Sequence, residues 1–557
     1  MMKSSLISIN EIYTFYARLP IYALSSTMLL AVAFLFVILL LRSQAIKTCL
    51  SSLLSRIINI VLRSCYPIKH VENGRDLPSL PYVFPNGQGN TEKFLHGRTK
   101  SANWEREYGG LYRLWAGIKG EVVLTKHTHV ETVFHDSNKH TKAHANDSGY
   151  LMDRLLGSCL GLISGSPWNA VKSGVEAPFL HRSASTYVTD IQDFTKAYMR
   201  ALNAESEPLR DHGKLHPVHD LKLLPFLFVA RIIYGSLSAE LEKELRELIP
   251  LREELFKSVV GGGITRFSIA RFLPLPAIRA LRDFKRRWAE WNDKAHAYAL
   301  QTKRAEATPI IGMYRCVDEG TITREQLLQT LDEMLFANID VTMGGISWTL
   351  VFLAAHPSVQ KMLRSEIQTS SSHAASRNAY LLSSWTTTPT LLGACILESA
   401  RLRPLAAFSV PQSCPTPRVL DGFEVPAGTN FVVDSYALNI RDPFWGPDRE
   451  RFRPQRWLER HKSGRDLRYR YWRFGFGPRT CLGKYVAEFL LRAVVVEVLE
   501  NWSISLETTE QQRSKEVESE NGCDRKEEED MDWPWDDEMW IHHPDLFLKC
   551  RPLTRPT

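Results

Sequence analysis

The most uniform stretch of apolar positions is residues 21–41, IYALSSTMLLAVAFLFVILLL, which carries no charge. At about 1.5 Å rise per residue, a helix of this length crosses the roughly 30 Å hydrocarbon core of a bilayer. A secretory signal peptide has a shorter apolar region with a basic start and a small-residue cleavage site. Arg42, Lys47, Arg56, Arg63 and Lys69 follow the run. The excess of positive charge on that side predicts an uncleaved anchor with its C-terminal flank in the cytosol. The expected organisation is therefore a luminal segment 1–20, an anchor 21–41, a membrane-proximal linker 42–80 and one large domain over 81–557.

Leu50, Leu53, Leu54, Ile57, Ile58 and Val61 then recur at helical spacing, interrupted by Arg56 and followed by Arg63. This segment is too short to span. It reads equally well as an interfacial amphipathic helix or as an ordinary surface helix. Residues 110–124, GLYRLWAGIKGEVVL, predict two short strands around a Gly-containing turn. Helical periodicity dominates from Tyr150 to Ile367, and Gly261, Gly262 and Gly263 mark a loop. The longest predicted helix runs from Thr323 to Ala355. Thr323 and Gln326 form a capping-box pattern at its start, and His356 before Pro357 ends it. Its apolar middle is interrupted by Ala337, Asn338, Ile339, Asp340, Val341 and Thr342. Polar groups at such a place need partners or a wet cavity. Asp421–Thr429 reads as strand, turn, strand. A last helix is expected over Leu482–Leu499, and a returning strand over His542–Leu553.

Composition narrows the class. The 557 residues are 44% hydrophobic, 24% charged and 10% aromatic, which are globular proportions. The net charge of +7 is spread along the chain, with no basic tract of the kind that binds nucleic acid. Residues 507–540 are strongly acidic and predict a solvated surface insertion. The nine cysteines are irregularly spaced, with no CxxC pair, which argues against a disulfide framework and a tetrahedral zinc site.

One cysteine stands apart. It lies in Phe474-Gly475-Phe476-Gly477-Pro478-Arg479-Thr480-Cys481-Leu482-Gly483. A thiolate there is expected to gain from the helix start, from backbone N–H groups and from Arg479. Gly477 and Gly483 would let the backbone and a flat cofactor approach closely. The pattern F-x-x-G-x-R-x-C-x-G fixes five positions, and its chance occurrence in this chain is on the order of one in ten thousand.

This segment resembles the haem-binding signature of the cytochrome P450 family. The resemblance implies a mainly α fold with small β-sheets behind an N-terminal transmembrane helix. It implies haem b with its iron axially ligated by Cys481. Further motifs follow the same order. Glu398-Ser399-Ala400-Arg401 matches E-x-x-R, and Phe452-Arg453-Pro454-Gln455-Arg456-Trp457 looks like the segment that supplies the third partner. The resemblance gives Glu398, Arg401 and Arg456 a structural role in holding the Cys481 loop. It gives Phe474, Gly477, Gly483 and Arg479 to the cofactor, and Trp168 and Lys172 to a haem propionate. The usual residue at 172 is arginine, and lysine supplies charge without a planar fork. Pro404 to Pro411, with small alanines and Phe408, would line the pocket.

The long helix departs from the family motif A/G-G-x-D/E-T-T/S. Asp340 aligns, but Asn338 replaces a glycine and Val341 replaces the threonine of the proton relay. Thr342 fills only the next position, about 100° further round the helix. Asp340, Thr342 and Asn338 remain the expected catalytic residues. Through the resemblance, the chain is expected to be an NADPH- and O2-dependent monooxygenase of the endoplasmic reticulum membrane. It would be served by NADPH-cytochrome P450 reductase and act on a small molecule. The stretch 331–345 is similar to fungal enzymes of secondary metabolism, including those tailoring dioxopiperazine toxins. Three other readings stand beside this one: a haem-thiolate isomerase or dehydratase, an oxidative-coupling enzyme, and a non-catalytic haem-binding membrane protein.

Overall fold

The two strands read around Gly117 are present as Leu111–Ala116 and Lys119–Leu124, paired antiparallel from Leu111–Leu124 to Ala116–Lys119. Gly117 takes φ +59°, which the tight turn requires. In this computed structural model the described residues are 44–301, 308–370, 374–383, 389–462, 467–507, 533–536 and 540–553. The predicted luminal segment, the anchor 21–41 and most of the acidic insertion lie outside them.

The described residues form two units. The first holds the helix Gln44–Cys65 with residues 81–85. Within it, Asn59 accepts from the Tyr82 amide at 3.1 Å, and Ser55 from the Phe84 amide at 2.9 Å. The predicted segment Leu50–Leu62 is thus the middle of a longer helix. Leu50, Leu53, Ile57, Ile60 and Val61 are all exposed on it.

The second unit holds residues 66–80 and the described residues from 86 onward. Its five-stranded sheet runs, in spatial order, Leu111–Ala116, Lys119–Leu124, Asn430–Val433, Gln412–Ser413 and Thr141–Lys142. Most of its core is helical. The long predicted helix is real but not uniform: Arg324–Ala337 is α, Asn338–Thr342 is one π turn, and Met343–Ala355 is α again. The Thr323–Gln326 capping box forms at its start, and a new helix begins at Pro357. Among the described residues, Arg324–Ala355 is the helix long and apolar enough to cross a membrane, yet 72% of its apolar window is buried inside the protein. It is a core element. Asp332 on it forms a buried ion pair with Arg252, 2.7 Å away.

Several boundaries differ from expectation. The helix Ala239–Gly261 runs through the first of the three glycines, and the break falls at Gly262 and Gly263 with φ +66° and +71°. The hairpin after residue 417 is Arg418–Leu420 with Phe423–Val425, turning at Asp421 and Gly422. The next strand waits until Asn430. The last helix is Lys484–Asn501. The returning strand is shorter than expected and spans Leu548–Pro552. Residues 542–547 ahead of it make only an isolated bridge, between Pro544 and Trp535.

Candidate active site

The Cys481 loop is shaped by its glycines. Gly475 and Gly477 take φ +79° and +65°, and the Cys481 amide donates to the Phe474 carbonyl at 2.9 Å. A side chain at Gly477 would come within 2.4 Å of Ser137 Oγ. That glycine therefore permits close packing against Ser137. A side chain at Gly483 would meet nothing within 4 Å, so space lies open there. The Phe474 ring is covered by Arg473, 4.6 Å from its centre.

Burial pushes the Cys481 thiol up, yet the residue is exposed to solvent. The backbone N–H groups of Gly483 and Lys484 and the Lys484 charge act in the opposite direction on the sulfur. Arg479, expected to help the thiolate, is engaged elsewhere. It donates to the Ile163 carbonyl at 2.8 Å and stacks 4.1 Å from the Trp168 ring centre.

Lys172 approaches the same ring at 5.0 Å and pairs with Glu176 at 3.5 Å. The cation that accompanies Arg479 is one that sequence reading missed. Burial and Arg479 together lower the Lys142 pKa to about 8. Burial lowers that of Arg479 to about 10. Two crowded, half-buried cations call for anionic partners. A thiol with amide donors, two such cations and an open glycine edge are the donor set a planar, carboxylate-bearing metal cofactor requires.

The loop is seated by a buried network. Arg401 forks onto Glu398 with two bonds of 2.9 Å, and Arg456 Nε donates to the same carboxylate at 2.8 Å. Trp457 Nε1 adds a fourth donor at 2.8 Å. Arg401 also donates to the Asn439 carbonyl at 3.0 Å. The Asn439 side chain in turn bonds both the amide and the carbonyl of Trp472, each at 2.8 Å. The three predicted residues thus come together and reach the start of the Cys481 loop through Asn439.

Between residues 329 and 354 the central helix is buried except at Glu333, Met334, Ala337, Asn338, Asp340, Val341 and Gly345. These seven positions form a stripe of partial exposure along the helix. Val341 lies on it, whereas Thr342 is buried. Thr342 Oγ1 donates to Asn338 Oδ1 at 2.8 Å, and Asn338 Nδ2 donates to the Met334 carbonyl at 2.6 Å. Asp340 does not join that pair; its Oδ2 accepts from Trp540 Nε1 at 2.9 Å. Two of the three expected catalytic residues are brought together and the third is turned to other partners.

Glu333 is a second residue that the sequence did not single out. Its carboxylate accepts the Gly161 amide at 2.9 Å, and burial raises its pKa. Gln329 and Thr330 accept the Ser158 and Leu160 amides in the same way, at 2.7 and 3.1 Å. Three side chains of the central helix therefore hold one loop. In the segment 404–411, Leu405, Ala406, Ala407 and Val410 keep accessible surface. Phe408 does not: it is buried against Trp104, with ring centres 5.8 Å apart.

Residues 76–527 match the family model described as Cytochrome P450. The chain is 47% identical over 489 residues to cytochrome P450 monooxygenase aclC of Aspergillus oryzae, covering 88% of this chain and 94% of that protein. It is 43% identical to cytochrome P450 monooxygenase asaD of Aspergillus flavus, covering 93% and 96%. It is 37% identical to cytochrome P450 monooxygenase gliC of Aspergillus fumigatus, covering 90% and 94%. A solved zebra fish cytochrome P450 structure with progesterone superposes with TM-score 0.61 at 19% identity, covering 82% of this chain and 99% of that one, a likeness of fold.

Proposed function

The chain belongs to the cytochrome P450 family, and on that premise we propose that it oxidises a small organic substrate of fungal secondary metabolism with Cys481 as the ligand of its haem. It is a haem-thiolate monooxygenase, an oxidoreductase using NADPH and O2, and its family works with a redox-partner reductase. The observation that carries the assignment of Cys481 is its loop: an exposed cysteine held in a glycine frame, its sulfur receiving the Gly483 and Lys484 amides. Haem supplies oxygen activation and the oxidation itself when bound. The chain's residues do the rest. The amides turn toward the sulfur and hold its charge. Lys142 and Arg479 take the cofactor's carboxylates, with Trp168 packed beside Arg479. The accessible stripe of the central helix and Leu405, Ala406 and Val410 shape the substrate space. Asn338, Thr342 and Asp340 hold protons near the π turn.

The partner is NADPH-cytochrome P450 reductase and the location the endoplasmic reticulum membrane. Residues 21–41 support this as an anchor, and the exposed apolar face of Gln44–Cys65 as an interfacial helix beside it. Substrates extend to the dioxopiperazine class. A second reading, an oxidative-coupling enzyme or a haem-thiolate isomerase or dehydratase, is favoured by Val341 standing on the stripe where a hydroxyl is usual. Turnover that depends on NADPH and reductase excludes the isomerase and dehydratase.

Two experiments test the proposal. Cys481→Ser is expected to abolish the thiolate signature of the reduced carbon-monoxide spectrum together with turnover; a retained signature refutes the ligand. Deleting the gene and profiling metabolites by mass spectrometry is expected to show one accumulating small molecule that the purified protein oxidises.

A further inference from the structure

The chain near its C-terminus folds back over the π turn of the central helix and grips one residue twice. Trp540 Nε1 donates to Asp340 Oδ2 at 2.9 Å, and His543 Nε2 donates to the backbone carbonyl of Asp340 at 2.8 Å. Because a carbonyl can only accept, the His543 proton is on Nε2. Burial lowers the His543 pKa, in keeping with a neutral ring. The segment is itself fixed. Trp348 Nε1 donates to the His542 carbonyl at 2.8 Å, and the His542 ring bonds the Leu95 carbonyl at 2.7 Å. Gly344 permits the approach: a side chain there would meet Leu405, Ile541 and His543 at 2.9, 3.1 and 3.3 Å.

The other carboxylate oxygen, Asp340 Oδ1, is buried and has no hydrogen-bond partner among the described residues. A π turn widens the helix and disturbs its bonding ladder, so its backbone depends on outside donors more than an α turn does.

We propose that Trp540 and His543 are positioning residues for the π turn, fixing Asp340 by its carboxylate and its backbone while Oδ1 takes no donor from them. The proposal rests on the monooxygenase reading above. It assigns to the C-terminal segment, beyond the Cys481 loop, a part in deciding how much consumed NADPH ends in product.

The test compares the full chain with Trp540→Phe, His543→Leu and His543→Gln. Gln keeps an N–H donor near the Nε2 position; Leu does not. The first readout, hydrogen exchange of the amides 338–343, needs no substrate. Exchange is expected to rise about fivefold in His543→Leu, the factor for losing one hydrogen bond, and to stay within about twofold of wild type in His543→Gln. The second readout is product formed per NADPH consumed, using the metabolite that accumulates in the deletion strain. It is expected to fall by about threefold or more in Trp540→Phe and His543→Leu, with peroxide rising, and to recover in His543→Gln. Equal behaviour of the Leu and Gln variants in both readouts overturns the proposal. If His543→Leu does not fold, Trp540→Phe decides, and unchanged coupling in it overturns the proposal. The monooxygenase reading fails separately, if the wild-type chain lacks a thiolate-haem spectrum.

Discussion

The guanidinium of Arg479 lies 4.1 Å from the centre of the Trp168 ring, and the charge it brings crowds Lys142. A lysine held at a pKa of about 8 when folded and near its ordinary value when unfolded binds fewer protons in the folded state between those values. Stability of the haem-free chain through this group therefore rises as pH climbs through that window, and the group is a burden at neutral pH. Lys142→Met is expected to raise the melting temperature of the haem-free protein at neutral pH. The same change should speed haem loss to a scavenger protein by about tenfold, equivalent to about 1.4 kcal/mol. Unchanged haem release would remove Lys142 from the cofactor's partners.

Glu398, Arg401 and Arg456 are fully or almost fully buried, at 0, 0 and 2% exposure. Removing one member strands the others' charge. Arg456→Met is expected to cost about 3–5 kcal/mol and to abolish recovery of haem-bound protein. Arg456→Lys should rescue little, because one ammonium cannot replace the donors that reach Glu398, Trp445 and Asp448. Urea unfolding of whatever folds measures the loss.

At the π turn, Asn338 is accessible and Thr342 is buried behind it. Asn338→Leu is expected to lower product per NADPH by about tenfold, the scale of a modest proton-transfer contribution. Thr342→Val should lower it by less than about threefold, and mainly cost about 1 kcal/mol of stability. Val341→Thr places a hydroxyl on the accessible stripe and is expected to raise coupling. No change with Val341→Thr would count against a proton role for that position.

Asp147 lies beside the buried Lys93–Glu121 ion pair, whose nitrogen and oxygen are 2.8 Å apart. Burial and the Glu121 charge push its carboxyl up to about 7. The folded chain then keeps a proton that the unfolded chain releases, so this group's contribution falls as pH rises from the ordinary carboxylate range to about 7. Asp147→Asn, which can still accept the bond from Asn430, is expected to flatten that slope. It should stabilise the protein by about 1–3 kcal/mol above neutrality. Denaturation midpoints of both proteins across the acid-to-neutral range check it.

What can be read from the sequence is local. The capping box, the Gly117 turn and the glycine frame of Cys481 depend on spacings of a few residues. Glu398, Arg401 and Arg456 are readable because two fixed motifs carry them. What escapes depends on chain closure. Lys142 sits on a two-residue strand, far in sequence from the arginine that crowds it. Glu333 is, in sequence, one more charge at a helical position; only the fold brings the loop 158–161 against it. His543 falls in a segment whose pattern suggests strand, and its partner carbonyl lies in the π turn, which the sequence pattern does not announce. Phe408 belongs to the pocket by its place in a motif, but the Trp104 ring offers it a better surface.

The Glu398 carboxylate takes donors from Arg401, Arg456 and Trp457 and from the Arg453 amide at 3.1 Å. With its acceptor sites filled from Arg401 and from residues 453–457, it takes no donor from the described segment 404–411 that directly follows the helix Leu391–Leu402. Leu405, Ala406 and Val410 are therefore free to drift in size and shape across generations. An enzyme lineage can change its diet at these three positions while the clamp behind them stays untouched.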